Sequence, residues 1–256
     1  MINYNKKFLC INKLDSCIST NIVSLYNLEF VFRNTRKMYL ILVSDSQSKS
    51  YGKFNRRWLT HTGSIASSIV FNSFSENYIK FLSIITNILL INTCYHYNSN
   101  ILIKWPNDLI IKNRGKIAGI ISSTKNFNNY FYIVLGIGIN IDNIYAPFQD
   151  KLNKSISILQ TNRAKKTILR KIFCYGIYYF SRIRDPSFIN NNYKISSGKQ
   201  HLLNRKIFFN VVYRRSCLII ECAVLDIMKD NSIIIFSKKG GLQKIFCGEI
   251  IYSLNI

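Results

Sequence analysis

A chain of 256 residues, 48% of them hydrophobic, holds enough apolar material for one large core, or for one large and one small. Its formal charge of +23 is spread along the whole length, in a composition rich in Ile, Asn, Lys, Phe and Tyr. That pattern reads as coding bias, which excludes a dedicated nucleic-acid surface as the first explanation.

The opening Met1-Ile-Asn-Tyr-Asn-Lys-Lys lacks the apolar stretch of a signal peptide. Phe8 to Asn12 is a strand candidate. Ser19, Thr20 or Asn21 then caps a helix reaching Phe32, because apolar residues recur at helical spacing behind them. Met38 to Val43 is a strand that enters the segment Gln47 to Trp58. Four cations (Lys49, Lys53, Arg56, Arg57) and no acid lie between Gln47 and His61, with Gly52 and small residues among them. Such a loop is either a polyphosphate cradle or an exposed basic turn. Ser64 to Asn72 is a strand and Ser75 to Tyr95 an amphipathic helix. Its apolar part, Phe81 to Cys94, is broken by Asn87 and Asn92 and is too short for a membrane span.

Three apolar runs follow, each edged by polar residues: Ile101 to Asp108, Lys116 to Ile121 and Ile133 to Asn140. They are strands delivering groups to a common edge. Pro106 restrains Trp105 and turns the first run into a fixed loop carrying Lys104, Asn107 and Asp108. Alternation places Lys116 and Ala118 on one face, the small Ala118 leaving room for the lysine stem. Gly136, Gly138 and Asn140 share a face stripped of side chains, where a ligand or another backbone can approach closely.

Asn143 to Asp150 is a loop. Asn162 to about Arg184 is a helix with its basic residues on the polar face. The polar stretch Tyr193 to Gln200 is the best linker candidate. Beyond it Lys206–Tyr213, Cys217–Leu225, Ser232–Phe236 and Leu242–Phe246 are short β-rich runs, separated by turn signals at Asp230-Asn231 and Gly240-Gly241. Their spacing suits a small β-barrel. Seven cysteines form no Cys-x-x-Cys pair, and the three histidines are scattered, so no metal-ligand spacing appears. Reduced, mostly buried thiols account for them.

Lys104-Trp-Pro-Asn-Asp108, Lys116-Ile-Ala-Gly119 and Gly136-Ile-Gly-Ile-Asn140 resemble the motifs of the biotin protein ligase family. The first of these runs is highly specific, and the similarity thins out toward Ser19 and Glu249. The resemblance implies an α+β fold, a mixed β-sheet flanked by helices over residues 1–195, with a small C-terminal SH3-like β-barrel over 200–256. Fewer than twenty residues precede Ser19, so it also implies the short form without an N-terminal DNA-binding domain.

The activity implied is ATP-dependent activation of biotin to biotinyl-5′-adenylate, followed by transfer to a lysine of a biotin carboxyl carrier protein. Lys116 and Arg56 are the implied catalytic residues. Biotin would meet Ser19, Thr20, Asn21, Gln47, Tyr51, Gly52, Lys53, Lys116, Gly119, Gly136 and Gly138. ATP would meet Lys53, Arg56, Trp58, Lys104, Asn107 and Asn140. Biotin and ATP are substrates, Mg²⁺ is expected with the nucleotide, and Asp108 either sits in its outer shell or pairs with a loop cation. No resident metal site, no sequence-specific DNA and no membrane are expected, and the location implied is cytoplasmic. Against the family pattern, Ser50 and Asn55 replace glycines, Tyr51 and Lys53 replace arginines, and Ser122-Ser123 stands where a glutamate is common. A loosely held adenylate is the consequence expected of the altered loop. Two alternatives stay open: a lipoate-type ligase or transferase on the same scaffold, and a binding module without turnover.

Overall fold

Side-chain alternation along one strand organises the molecule. The computed structural model describes residues 9–34, 39–52, 56–58, 64–73, 79, 81–95, 97–98, 100–111, 115–127, 130–141, 162–200, 206–213, 216–246 and 249–253. Strand β7 (Tyr130–Asn140) is the central strand of a seven-stranded sheet. On one side of it lie β3 (Ser64–Ser73), β2 (Tyr39–Gln47) and β1 (Leu9–Cys17). On the other lie β6 (Gly115–Phe127), β5 (Asp108–Ile111) and β4 (Ile101–Lys104). Only β1 and β2 run parallel, joined by helix α1 (Thr20–Asn34), which supplies the crossover that parallel neighbours need. The sheet is therefore mixed, as expected. β5 is an extra strand: Leu109 to Ile111 returns antiparallel to β4 straight after the Pro106 turn.

Ile133, Leu135, Ile137 and Ile139 of β7 enter the main core with Ile65, Ile69 and Phe71 of β3. Val134 and Tyr132, one step out of phase, pack with Val70 against Leu28 of α1 on the opposite face. Gly136 continues this second row beneath Asn21 at the start of α1, and Gly138 and Asn140 follow it along the strand.

Helix α2 (Leu82–Cys94) is buried nearly all round. It lies against the sheet and against α3 (Asn162–Ser181) and α4 (Pro186–Gly198). The amphipathic reading of Ser75 to Tyr95 is corrected over Leu82–Cys94, residues 75–78 and 80 lying outside the described residues. The polar residues assigned to solvent satisfy themselves inside: the hydroxyls of Thr86 and Thr93 donate to the carbonyls of Leu82 (2.7 Å) and Leu89 (2.8 Å), and Asn87 donates to the carbonyl of Pro106.

The expected linker from Tyr193 to Gln200 is also corrected. Most of it is the second half of α4, with Ser196 and Gln200 buried. Asp185 caps this helix through the N–H groups of Ser187 (2.9 Å) and Phe188 (3.2 Å), and Pro186 occupies its first turn.

Strands β8 (Lys206–Tyr213), β9 (Ser216–Ile227), β10 (Ile233–Ser237), β11 (Gly241–Ile245) and β12 (Glu249–Ser253) form a second, wholly antiparallel sheet. Its order is β11-β10-β9-β8-β12, and among the described residues its two edges are not paired with each other. A closed barrel is thus not formed by these pairings. The turn signals fall where expected, with Asn231 at φ 62° and Gly241 at φ 63°. No helix among the described residues is long and apolar enough to cross a membrane.

Candidate active site

A row of small residues crosses the sheet. In register from β2 to β4 stand Ser44, Ala66, Gly138, Gly119, Asp108 and Lys104. Four consecutive strands thus present nothing larger than a hydroxymethyl group, and the row ends in a carboxylate and a cation. The next row includes Ser68, Gly136 and Ile121. This is the stripped face expected from Gly136 and Gly138, extended by Gly119, Ala66 and Ser44, which the motif alone did not mark.

A bulge aims Lys116 at this row. Leu109 pairs with Ala118, but Ile110 pairs with Lys116, so Ile117 is the extra residue on β6. Ile117 and Ala118 are both fully buried in the main core, and Lys116 emerges on the face of Gly119. The expectation that Ala118 makes room for the lysine is therefore corrected. A β-carbon built on Gly119 would stand 3.0 Å from both Cε and Nζ of Lys116. The ammonium pairs with Asp108 at 2.7 Å and lies 5.1 Å from the centroid of the Trp58 ring. Of the two roles offered for Asp108, pairing with a cation is the one observed, although Lys116 and not a loop residue is the partner.

Trp58 lies across the glycines. A β-carbon at Gly138 would stand 2.5 Å from its Cε2 and Cζ2 atoms, and one at Gly119 would stand 3.1 Å from Cζ3. A short hairpin delivers the indole. Gly52 N–H donates to Arg56 O (2.7 Å), Trp58 N–H to Ser50 O (3.1 Å), and the Ser50 hydroxyl to the Trp58 carbonyl. Ser50 is buried. Arg56 is exposed on the hairpin, while Tyr51 and Gly52 are half-buried. Lys53 and Asn55 lie outside the described residues.

At the other end, the start of α1 forms a polar nook. Ser19 provides the carbonyl of the first helical bond, to Val23 N–H at 2.9 Å. Thr20 N–H donates to Gln47 Oε1 (2.7 Å), and the Ser68 hydroxyl lies 2.8 Å from Thr20 Oγ1 and 2.6 Å from Asn21 Oδ1. The Asn21 amide rests on Gly136, where a β-carbon would come within 2.5 Å of it. The structure thus brings together Ser19, Thr20, Asn21, Gln47, Gly136, Gly138, Gly119, Trp58 and Lys116. Ser68 was missed in the sequence; its signal was a pair of serines inside an apolar strand.

Three buried polar atoms along this face have no hydrogen-bond partner among the described residues: Asn21 Nδ2, Trp58 Nε1 and Asn140 Oδ1. Asn107 differs. Its amide donates to the Ile120 carbonyl, and its own carbonyl accepts from Ile120 N–H at 2.9 Å, so it pins the turn to β6. The side-chain bond uses one N–H of the amide, and the nucleotide contact expected of Asn107 would fall to its other N–H or its Oδ1. Burial pushes the thiols of Cys94 to about 12 and Cys222 to about 11, which keeps them protonated and out of the chemistry. Among the described residues no three His, Cys, Asp or Glu side chains gather to hold a metal ion.

The sequence model of the Biotin/lipoate A/B protein ligase family matches residues 15–140, the span that builds this face. Residues 15–140 thus carry the sequence pattern of the biotin/lipoate A/B protein ligase family. A human biotin–protein ligase is 26% identical over 121 residues, which are 44% of this chain and 17% of that protein. The chain thus spans a minor part of this relative's length. Among solved structures, the Aquifex aeolicus biotin protein ligase in complex with biotin and ATP has a TM-score of 0.72 at 19% identity, covering 94% of this chain and 97% of that one. The Helicobacter pylori biotin acetyl coenzyme A carboxylase synthetase with bound biotinylated ATP has a TM-score of 0.61 at 18% identity, covering 93% and 99%. The fold of this chain, second sheet included, is therefore similar to that of these two ligases.

Proposed function

We propose that this protein is a biotin protein ligase that makes biotinyl-5′-adenylate from biotin and ATP and passes the biotinyl group to a lysine of a carrier protein. One observation carries the reading: a row of small residues with a hydrogen-bonding nook at one end and the Lys116 ammonium at the other. A ligand fitting it has a polar head, a slim apolar body and an anionic tail. Thr20, Asn21, Gln47 and Ser68 suit the ureido head, with the unpaired Asn21 amide a donor for its oxygen. Gly136, Gly138 and Gly119 let the Asn21 amide and the Trp58 indole lie close on the sheet, and the body runs along the Trp58 ring as its wall. Lys116 offsets the repulsion between the carboxylate and the α-phosphate as they approach. A carboxylate oxygen then forms the bond to the α-phosphorus while the bond to pyrophosphate breaks. In the second step the acceptor amine attacks the acyl carbon, AMP departs and the amine loses a proton. Arg56, Lys53, Lys104 and Asn140 are assigned to the nucleotide.

Asp108 is engaged by Lys116, and no other carboxylate cluster accompanies it among the described residues. The side chains therefore do not fit a resident metal site, and Mg²⁺ belongs to this reading as the nucleotide's own counter-ion, keeping several waters. The carrier is the partner assigned to the second step, the cytoplasm is the place of action, and the edges β11 and β12 are assigned to the closing of an SH3-like barrel. The decisive experiment is ATP–pyrophosphate exchange on the purified chain, with biotin and lipoate compared. Exchange stimulated by biotin supports the reading. Stimulation by lipoate alone, or binding of biotin without exchange, overturns it.

A further inference from the structure

Trp105 belongs to the specific Lys104–Asp108 motif, yet its side chain is not in the main core. It is 2% exposed and packs with Cys222, Val224, Ile227, Ile233 and Ile235 of the second sheet. Its Nε1–H donates to the carbonyl of Asn231 at 2.6 Å. That carbonyl belongs to the turn between β9 and β10, shaped by Asp230, which accepts from the backbone N–H and hydroxyl of Ser232 and pairs with Lys244 at 2.9 Å.

The three-residue turn that carries Trp105 is fixed on two further sides. The Pro106 carbonyl accepts from Asn87 of α2 at 3.2 Å, and Asn107 is bonded twice to Ile120 of β6. The next residue is Asp108, the partner of the Lys116 ammonium. The chain entering the second sheet is stitched to the same place, since Ile103 N–H donates to Lys199 O at 2.8 Å. A second side-chain bond reaches the second sheet without touching this turn: the Tyr193 hydroxyl donates to Ile227 O at 2.6 Å.

Resting on the proposed ligase activity, we infer that Trp105 is a positioning residue: the second sheet, gripping this indole, sets the height of the turn and so holds Asp108 where it orients Lys116 for adenylate formation. The second sheet is then part of the machinery of the first half-reaction, and not only of transfer to the carrier. Phenylalanine at 105 keeps an aromatic plug but loses the N–H, so the second sheet stays packed while the turn is released.

The test uses the full chain in the biotin-dependent exchange assay, with melting followed to establish folding. Trp105→Phe is expected to lower kcat about tenfold or more and to leave the KM for biotin within about twofold. Tyr193→Phe, which cuts a side-chain bond to the second sheet away from this turn, is expected to leave both constants within about twofold. Asp108→Asn, made alone and with Trp105→Phe, gives a cycle in which the two losses overlap: the double variant is expected within about threefold of Asp108→Asn. Should Trp105→Phe fail to fold, Asp230→Asn loosens the same turn from the other side and must lower kcat in the same direction. Wild-type kcat in Trp105→Phe, or in Asp230→Asn where that replaces it, overturns the inference. So does multiplication of the two losses, or an equal loss in Tyr193→Phe. An inactive wild-type chain overturns the ligase reading itself, which keeps the two failures apart.

Discussion

At the residue scale the site makes sharp demands. Lys116→Ala is expected to abolish biotin-dependent exchange with only a modest change in melting temperature, because the side chain keeps 28% of its surface exposed at a strand end. A variant rate within about threefold of wild type, roughly 0.65 kcal/mol of barrier, overturns the role given to this lysine. Gly138→Ala drives a methyl group into the place held by the Trp58 indole, 2.5 Å from two of its atoms. The expected result is a KM for biotin raised about tenfold, equivalent to about 1.4 kcal/mol, read from a biotin titration of exchange. An unchanged KM means the Trp58 ring is not a wall of the biotin site. Ser50→Gly reverses what the sequence suggests. Restoring the family's glycine looked like a way to tighten a leaky loop, yet Ser50 closes the hairpin by donating to the Trp58 carbonyl. Removing a bond worth about 1 kcal/mol is expected to speed adenylate escape about fivefold, measured by chasing labelled adenylate from the enzyme.

At the element scale, strands were legible where one face is apolar and the other plain. The strands β1 to β4, β6 and β7 and the bare face of Gly136 and Gly138 follow from alternation, whereas β5 was hidden in the run after Pro106. Lys116 was assigned its role by resemblance, but its geometry was misread, because a single extra residue at Ile117 shifts every side chain before it by one face. Helix α2 reads as amphipathic from its threonines and asparagines, whereas Thr86, Thr93 and Asn87 donate to carbonyls inside the fold and Asn92 donates to the Tyr179 hydroxyl. The stretch after Tyr193 looked like a linker on polarity, although Asp185-Pro186 just upstream is a helix start that outweighs it. These corrections change one expectation. A chain ending at Gln200 leaves Trp105 without its pocket, and burial of a large apolar side chain contributes roughly 1.5–3 kcal/mol. Such a truncation is expected to melt at lower temperature and to lose exchange, not merely transfer. Wild-type exchange by residues 1–200 would show that the first sheet is self-sufficient.

At the scale of the whole molecule, the junction between the two sheets carries a pH dependence. Burial pushes the Asp230 carboxyl up, but the hydrogen bonds from Ser232 and Lys244, with the charge of Lys244, together outweigh it and bring the group from its ordinary 3.8 to about 2. The folded state thus favours the ionised form more than the unfolded state does. This contribution is complete above about pH 4 and is lost as the pH falls from 3.8 toward 2. Melting of the full chain compared with Asp230→Asn is expected to show a gap that narrows across that acid window. A gap constant down to pH 2 would mean that the ion pair does not stabilise the turn.

The chain has two tryptophans, and the fold sends them to different errands: Trp58 rests on the glycine row and Trp105 is sealed between the sheets. The protein therefore carries two intrinsic fluorophores in separate compartments. In Trp105→Phe all tryptophan emission comes from the site, beside the Lys116 ammonium. In Trp58→Phe it comes from the junction alone, from a ring shielded from water. One chain, with one substitution at a time, can thus report site occupancy and sheet docking as independent optical signals, without any label attached.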